Sequence, residues 1–480
     1  MGIKRFYATK DNTITNAFKS NLVTRATGSN MGEADVLEVF SIYGQATSAS
    51  LEASRVLIDF SVSAISQSRT DGDIPASGSD SLQFYLKLYN VPHGSTLPKQ
   101  YTICAAPLSQ SWVEGVGLDM DEYLDLDNSN WTNASASAAW TVAGGDFLTA
   151  SGDTTGSQYF ETGEEDLEIN ITHTIEEWIN NNTSSNGLGL FLSASLETAT
   201  RSYYTKKFFA RNSEFELKRP HVEARWNSSR TDDFNNFYKS SSLAPAVDNL
   251  NKLYLYNHIR GQLKDIPVVG TNNIVFSLKT SASAGDEISF PVGGDVVSNN
   301  DFNATGSRVA AGIYAAEFAY TGSYETVYPV WHSSSVYYVT GSGITVKNFS
   351  ASTDYPIKEY VTTISNLRPS YFKEKVSRFR LFIRDKDWCP TIYTIANPTA
   401  SNIIIESASY KLYRTVDDFQ VIPYGTGSTN HTLLSYDKTG NYFDLDMNIL
   451  EKDRQYAFKF IYNLNGKYIE QKEEFKFRVE

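Results

Sequence analysis

Leu82-Gln83-Phe84-Tyr85-Leu86-Lys87-Leu88-Tyr89 decides the fold class. Leu82, Phe84, Leu86 and Leu88 share one face, with Gln83, Tyr85 and Lys87 on the other, which is the two-residue period of a half-buried strand. Upstream, Leu37–Tyr43 and Ser54–Phe60 repeat the alternation. Downstream, Leu188-Gly189-Leu190-Phe191-Leu192 is apolar almost throughout and predicts a central strand. Only Thr172–Asn180 carries a helical period, with Ile175, Trp178 and Ile179 at i, i+3 and i+4 and Glu176 and Glu177 near its start. Asn186-Gly187 then turns the chain into the next strand.

Further out the pattern lapses and returns. Residues 227–250 hold Asn-Ser-Ser-Arg-Thr-Asp-Asp and Lys-Ser-Ser-Ser-Leu-Ala-Pro, the composition of a linker. Alternation resumes at Lys252–Tyr256, Asn273–Leu278, Gly312–Tyr320 and Ser335–Val339, spaced by Gly and Ser turns. A last set comprises Arg378–Ile383, Ser409–Tyr413 and Tyr456–Phe460, with Asn465-Gly466 marking a hairpin between Tyr456–Tyr462 and Phe475–Val479. Short strands with regular polar turns predict an all-β chain of three β-sandwiches: 1–228, a linker at 229–250, then 251–365 and 366–480.

Composition agrees. A chain of 480 residues suits about three domains of ~100–200 residues. Its 13% aromatic content, with 30 Tyr and 27 Phe, excludes wholesale disorder and favours strands. Two Cys exclude a disulfide scaffold and a thiolate metal site; Cys104 and Cys389 are read as two separate buried thiols. No run of ~18 apolar residues predicts a membrane span. The amino-terminal stretch lacks the apolar core of a secretion signal, so synthesis in the cytoplasm is expected and the Asn-x-Ser/Thr sequons carry no weight.

Charge is unevenly distributed. Residues 1–232 hold 17 Lys and Arg against 29 Asp and Glu, a balance of −12, leaving −1 of the total −13 for the remainder. Residues 71–200 hold only Lys87 and Lys99 as bases, whereas 201–230 holds eight (Arg201, Lys206, Lys207, Arg211, Lys218, Arg219, Arg225 and Arg230). An acidic surface repels phosphates, so nucleic acid is not an expected partner. The basic stretch reads as an alternating strand with solvated charges, with pairing to the acidic part of its own domain or to a partner as alternatives.

Signals for chemistry are sparse. His93, His173, His221, His258, His332 and His431 are isolated and read as structural or surface residues rather than metal ligands. Gly341-Ser342-Gly343 lacks the spacing of a nucleophile elbow, and no phosphate-binding glycine loop occurs. Asp119, Asp121, Glu122, Asp125, Asp127 and Asn128 form the densest acidic cluster. Calcium takes such oxygens, but no Gly follows Asp125-Leu126-Asp127 and no Glu closes a loop, so an exposed acidic loop is the preferred reading. Trp112, Trp131, Trp140 and Trp178 would make a sugar-stacking platform if exposed, and core residues otherwise; packing is preferred. A pair of carboxylates for glycoside hydrolysis is not legible from sequence. No catalytic, cofactor-binding or metal-binding residue is assigned, and a non-enzyme without cofactor is expected.

The N-terminal motifs run in a recognisable order: Asp11-Asn-Thr-Ile-Thr, Gly28-Ser-Asn30-Met-Gly32 into Leu37-Glu-Val39, Ser54-Arg55-Val-Leu57-Ile-Asp59-Phe60, Leu86-Lys-Leu88-Tyr89, Trp112-Val-Glu114-Gly115, Ile175-Glu-Glu-Trp178-Ile, and Lys218-Arg219-Pro220-His221-Val222. This order resembles the DNRLRE-type jelly-roll modules, similar to a carbohydrate-binding module family of secreted proteins, over residues 1–228. Tyr256-Asn-His-Ile-Arg260-Gly261-Gln, Asn366-Leu-Arg-Pro369-Ser-Tyr371 and Gly440-Asn-Tyr-Phe-Asp444-Leu-Asp446 resemble virion structural proteins of contractile-tailed phages of marine bacteria. These resemblances imply a jelly-roll β-sandwich followed by two Ig-like or fibronectin-like β-sandwiches, in a virion component made in the host cytoplasm. Neck or tail attachment is the expected station, and other virion proteins and copies of itself are the expected partners. Arg260, Arg378, Arg380 and Arg384 are candidates for interface ion pairs. A glycan-recognising adhesin acting through the jelly roll, or a capsid decoration protein, is the alternative.

Overall fold

A computed structural model describes residues 2–44, 51–76, 82–92, 97–121, 123–149, 156–199, 201–282, 284–291, 298–300, 302–333, 335–348, 358–389, 400–425 and 429–480. His93 and Glu122 lie outside them. The first unit contains β1 (Gly2–Thr15), β2 (Val36–Tyr43), β3 (Leu51–Phe60), β4 (Gln83–Leu88), β5 (Tyr101–Pro107), β6 (Asn133–Ser135), β7 (Ala138–Ala139), β8 (Gly156–Phe160), β9 (Leu167–Asn170), β10 (Leu188–Leu192), β11 (Tyr203–Phe209) and β12 (His221–Trp226). Two helices of two turns or more, α1 (Val62–Thr70) and α2 (Thr172–Ile179), pack beside them, and a single helical turn spans Ala194–Glu197.

One strand serves both sheets of this sandwich. Residues Gly2–Tyr7 of β1 pair with β12 in the order β9-β4-β12-β1, and Ala8–Thr15 pair with β3 in the order β1-β3-β10-β5-β8. Strands β2 and β11 extend the second sheet along the start of β3. The switch falls at a register shift between Ala8 and Lys10, the kind of bulge that bends a strand from one layer to another. Phe84, Leu86, Val56, Ile58, Ile103 and Leu190 fill the space between the sheets, each contributing roughly 1.5–3 kcal/mol of hydrophobic stabilisation. The face read from Leu82–Leu88 is the buried one, and β10 lies between β5 and β3 as its apolar run predicts.

The second sheet is buried on both sides. Leu57 and Ile14 point away from Val56 and Ile58 into a smaller core with Leu108, Trp112, Trp131 and Trp140, beneath the long excursion 108–149. Val56-Leu57-Ile58 is a continuous apolar run for that reason. Helix α2 buries Ile175 and Trp178 as its period predicts. Helix α1, which carries no clear amphipathic stripe, starts on a Ser61 side chain that accepts from the Ala64 N–H, and its Arg69 pairs with Glu176 of α2.

The middle unit contains β13 (Leu250–Tyr256), β14 (His258–Ile259), β15 (Gln262–Leu263), β16 (Ile274–Lys279), β17 (Glu287–Ile288), β18 (Ser298–Asn300), β19 (Asn303–Ala310), β20 (Ile313–Ala319), β21 (Thr326–Ser333), β22 (Val336–Thr340) and β23 (Ile344–Thr345). Its main path is β13-β20-β19-β16-β21-β22. Strand β19 pairs with β16 through Ala304–Gly306 and with β20 from Ser307 onward, so one strand crosses between layers around Phe276, Phe318, Tyr320 and Trp331. The connecting residues 229–250 are tied down: Phe237 is buried in this core, and Thr231 forms a bridge to Tyr436 of the last unit.

The last unit contains β24 (Tyr360–Ile364), β25 (Ser370–Tyr371), β26 (Val376–Asp385), β27 (Ala408–Arg414), β28 (Phe419–Ile422), β29 (Ser435–Asp437), β30 (Gly440–Asp446), β31 (Gln455–Leu464), β32 (Lys467–Glu470) and β33 (Phe475–Val479). Its two sheets run β24-β26-β30-β29 and β25-β33-β31-β27-β28, with β25 parallel to β33. In chain order these are the A-B-E-D and G-F-C layers of an immunoglobulin sandwich. Asn465 and Gly466, both at positive φ, turn β31 into β32, which lies on the same side of β31 as β33. Tyr456 opens the F-equivalent strand β31, and its hydroxyl accepts from the Glu451 N–H at 2.9 Å across the preceding corner, the tyrosine corner of such folds. Tyr456→Phe leaves that buried N–H without a partner. It is expected to cost about 1–2 kcal/mol, measurable as a lowered urea midpoint.

Candidate functional site

The β9-β4-β12-β1 sheet presents an outer face of alternating polar residues: Arg5, Glu223, Arg225, Lys87 and Glu168. Strand pairing sets Arg5 opposite Glu223, and Lys87 opposite both His221 and Glu168. The last unit covers much of this face. Arg5 and Glu223 are buried, with Arg5 Nε donating to Glu223 Oε2 at 2.8 Å and its Nη2 donating to the Val421 carbonyl of β28. Arg225 Nε meets Glu223 Oε1 at 2.7 Å, its two Nη atoms clamp Glu168 at 2.9 Å each, and Lys87 Nζ reaches Glu168 at 2.6 Å.

Burial pushes the Glu223 carboxyl up, but Arg5, the His221 ring with Nε2 3.6 Å from Oε2, and Arg225 more than reverse this and hold it well below the usual carboxylate range. Glu168 is likewise brought down to about 2 against its burial, by Arg225 and Lys87. His221 Nδ1 lies 2.9 Å from the Arg219 carbonyl oxygen, and burial lowers its pKa. His431 of the last unit is pressed against the same network; burial first, then Arg225, lowers it to about 4, keeping it neutral at pH 7. The seam continues through Phe419, whose ring centroid lies 5.0 Å from Tyr89 and 5.4 Å from Lys218 Nζ, and through Leu217, which is buried in the core of the last unit. A second seam joins the middle and last units, where the Tyr256 and Tyr442 hydroxyls are 2.8 Å apart beneath the Arg378 guanidinium.

The charges singled out by sequence are largely neutralised within the chain. In the basic stretch, Arg211 pairs with Glu114, Lys207 with Glu38, and Arg225 as above, so it serves the acidic part of its own domain. Lys206 is buried, its ammonium donating to Asn90 Oδ1 and to the Gly163 and Glu165 carbonyls at 2.7–2.8 Å; burial lowers its pKa to about 8. Arg378 clamps Asp444, Arg380 clamps Asp437, and Arg384 donates to the Asp385 carbonyl. Arg260 alone of the four sits exposed, on a turn at φ 53° beside Gly261. Of the described histidines, His221, His332 and His431 are buried and His173 and His258 are exposed. The two cysteines are unbridged, but their reading as buried is corrected: Cys104 is half-buried on the outer side of β5, and Cys389 follows the end of β26 and is exposed.

All four tryptophans are buried, Trp112, Trp131 and Trp140 under the excursion and Trp178 in the main core, so none offers a ring to a sugar. In the acidic cluster, Asp125 departs from an exposed loop. It is buried, with Oδ2 accepting from Asn30 Nδ2 at 2.9 Å and the Val116 N–H at 3.0 Å, and Oδ1 from Asn128 Nδ2 at 3.0 Å. Its lone pairs are taken by N–H donors, which leaves them unsuited to a cation. Among the described residues no group of three or more His, Cys, Asp or Glu side chains is placed to share a metal ion. Asn30 Oδ1 in turn accepts the Gly117 N–H, while Asn12 Nδ2 holds Ser129. Buried amides thus replace regular structure in shaping the excursion.

Asp11 is perturbed in the opposite direction to Glu223. Its Oδ2 accepts the Arg211 N–H at 2.6 Å, its Oδ1 has no partner, and burial raises its pKa to about 7. A folded pKa above the unfolded value of ~3.9 means that the native state holds the proton more tightly, so stability falls as pH rises from about 4 to about 7. Asp11→Asn keeps the acceptor and removes the charge. It is expected to stabilise by roughly 1–3 kcal/mol at pH 8, with the gain shrinking as pH falls through about 7 and vanishing only below about pH 4, in paired urea titrations.

Sequence reading passes over the seam because its residues alternate as a solvated face would, and the pairing of Arg5 with Glu223 joins residues far apart in the chain. No protein-family model and no curated protein matches the chain. Among solved structures, a marsupial T cell receptor is 11% identical, with 48% of this chain and 69% of that chain covered and a TM-score of 0.16. The FN1–FN3 domains of chicken CNTN1 are 8% identical, with 62% and 82% covered and a TM-score of 0.15. The architecture therefore rests on the strand orders above.

Proposed function

We propose that this chain is a non-enzymatic structural protein of a bacteriophage virion, attached to the neck or tail apparatus and acting by subunit–subunit assembly. The observation that carries the reading is the buried seam: Arg5, Glu223 and Arg225 of the first unit lie under β28 and His431 of the last. Charges buried in this way make relative motion of the two units costly, because parting them strips a matched network of its partners. A spacer that must hold neighbouring proteins at a set distance needs such fixed units, whereas a flexible string of binding modules does not. The resemblance of the chain, including Tyr256–Gln262, Asn366–Tyr371 and Gly440–Asp446, to tailed-phage virion proteins supports the same reading. Quantitative mass spectrometry of gradient-purified particles tests it: a fixed ratio of this chain to the other structural proteins is expected. Finding the chain free in culture fluid and absent from particles overturns it.

A second reading, glycan recognition by the first unit, is favoured by one groove of about 490 Å³. It is lined by Arg55, Asp146, Glu197 and the rings of Phe147 and Phe191, stacked 4.8 Å apart. Saturable binding to a glycan array that disappears with Phe191→Ala is its expected mark, and a silent array removes it.

A further inference from the structure

The excursion carries a surface that neither seam uses. Its backbone is fixed by Asn30 and Asp125, and Gly115 and Gly117 are packed so closely that a Cβ would lie 2.1 and 2.0 Å from Asn30 atoms. What this stiff segment displays is apolar. Val116, Leu118, Leu124 and Leu126 are 50–65% exposed, and Leu124 and Leu126 lie side by side over Gly28. Lys19 and Ser20 hydrogen-bond to Asp121, which brings the neighbouring hairpin tip alongside. At that tip Leu22 takes φ 53°, a conformation bulky residues disfavour, and Val23 is 80% exposed. Soluble proteins seldom display contiguous apolar patches without a partner to cover them.

We propose that this platform, formed by the excursion and the Leu22-Val23 tip, is the docking surface for a different protein whose complementary face is apolar and rimmed by Lys and Arg. Residues 113–127 contain no base; Glu114 is paired with Arg211 and Asp125 is buried, but Asp119, Asp121 and Asp127 lie at least partly exposed beside the apolar side chains, and they set the charge of the matching rim. A second copy of this chain is a poor occupant. It would bring the same carboxylates, and Lys207, Arg211 and Arg225 of its basic stretch are engaged with Glu38, Glu114, Glu168 and Glu223. The inference rests on the assembly reading and names the partner's chemistry.

The test uses the full chain and a fluorescent amphipathic peptide of Leu and Lys as the probe, with a Leu/Glu peptide as its counterpart. Saturable one-to-one binding of the Leu/Lys peptide is expected, weakened at least about tenfold in the L124S/L126S variant and in L22G. Because glycine accepts φ 53° freely, L22G should melt no lower than the parent, which separates lost docking from lost folding. Equal binding by parent and both variants, or equal affinity for the Leu/Glu peptide, overturns the proposal. A variant that loses the probe yet enters particles at the parent's ratio also overturns it and leaves assembly standing. A parent chain that binds the probe through these residues but is absent from particles refutes assembly and keeps the platform.

Discussion

Glu223→Ala is expected to destabilise the protein by about 3–5 kcal/mol, the range seen when one member of a buried ion pair is removed. The cost comes from what remains. Arg5 is buried, already has one nitrogen, Nη1, without a partner, and would keep only the Val421 carbonyl. Arg225 retains Glu168 and is less affected. Because Val421 belongs to the last unit, the loss should also loosen the seam. Five of the seven tryptophans (112, 131, 140, 178 and 226) lie in the first unit, so tryptophan fluorescence reports mainly on that unit. In the parent its urea transition should coincide with that of the whole chain followed by circular dichroism, and in Glu223→Ala the two should separate. Replacing both partners, Arg5→Met with Glu223→Leu, should cost far less than the single change, since no charge is stranded. Equal costs for the single and double variants would show that packing, not charge, dominates the site. The network should persist into acid, because Glu223 titrates well below the ordinary range and its contribution is lost only as pH falls through that depressed value.

The alternating strands were legible because their apolar positions recur every second residue: Leu82–Leu88, Leu37–Tyr43 and Tyr456–Phe460 all bury the face that alternation assigns. What alternation cannot express is a polar face covered by another unit. Arg5, Glu223 and Arg225 carry the pattern of a solvated surface, and their burial follows from a contact between residues more than 200 positions apart. Strand β1 was hidden for a related reason. Asp11, Asn12, Thr13 and Thr15 are fully buried there, so the strand that joins both sheets lacks the alternating apolar pattern. Helix α1 lacks an amphipathic stripe; only Ile65 enters the main core, and the Ser61 cap and Arg69 on Glu176 help to hold it. The acidic cluster was visible as composition, but the Asn30 contact that turns Asp125 into a buried anchor spans 95 positions. Spacing exposes periodic packing; it does not expose long-range polar pairing.

Phe443→Ala in the last unit is expected to cost about 3–5 kcal/mol, towards the upper end. In antibody domains a disulfide joins strands B and F across the sandwich, with a tryptophan of strand C packed on it. Here the tyrosine corner residue Tyr456 precedes Phe458 by two positions, which puts Phe458 at the site of the second cysteine. Phe379 of the B-equivalent β26 meets it at 4.8 Å between ring centroids. Phe443 lies at the middle of the cluster, stacked on Tyr410 at 4.4 Å and Phe379 at 5.1 Å, with Phe458 edge-on at 5.1 Å. Each such pair adds about 0.5–1.5 kcal/mol beyond the area it buries, so the cluster does the work for which a disulfide would supply about 2–4 kcal/mol. Removing the central ring opens a cavity between layers that no covalent bond holds together. The effect should reach the seam, since β28 and His431 are positioned by the same sandwich: hydrogen exchange at Glu223 and Arg225 in the first unit should quicken along with exchange in β30 and β31. Exchange confined to the last unit would show that the seam is held by the first unit alone.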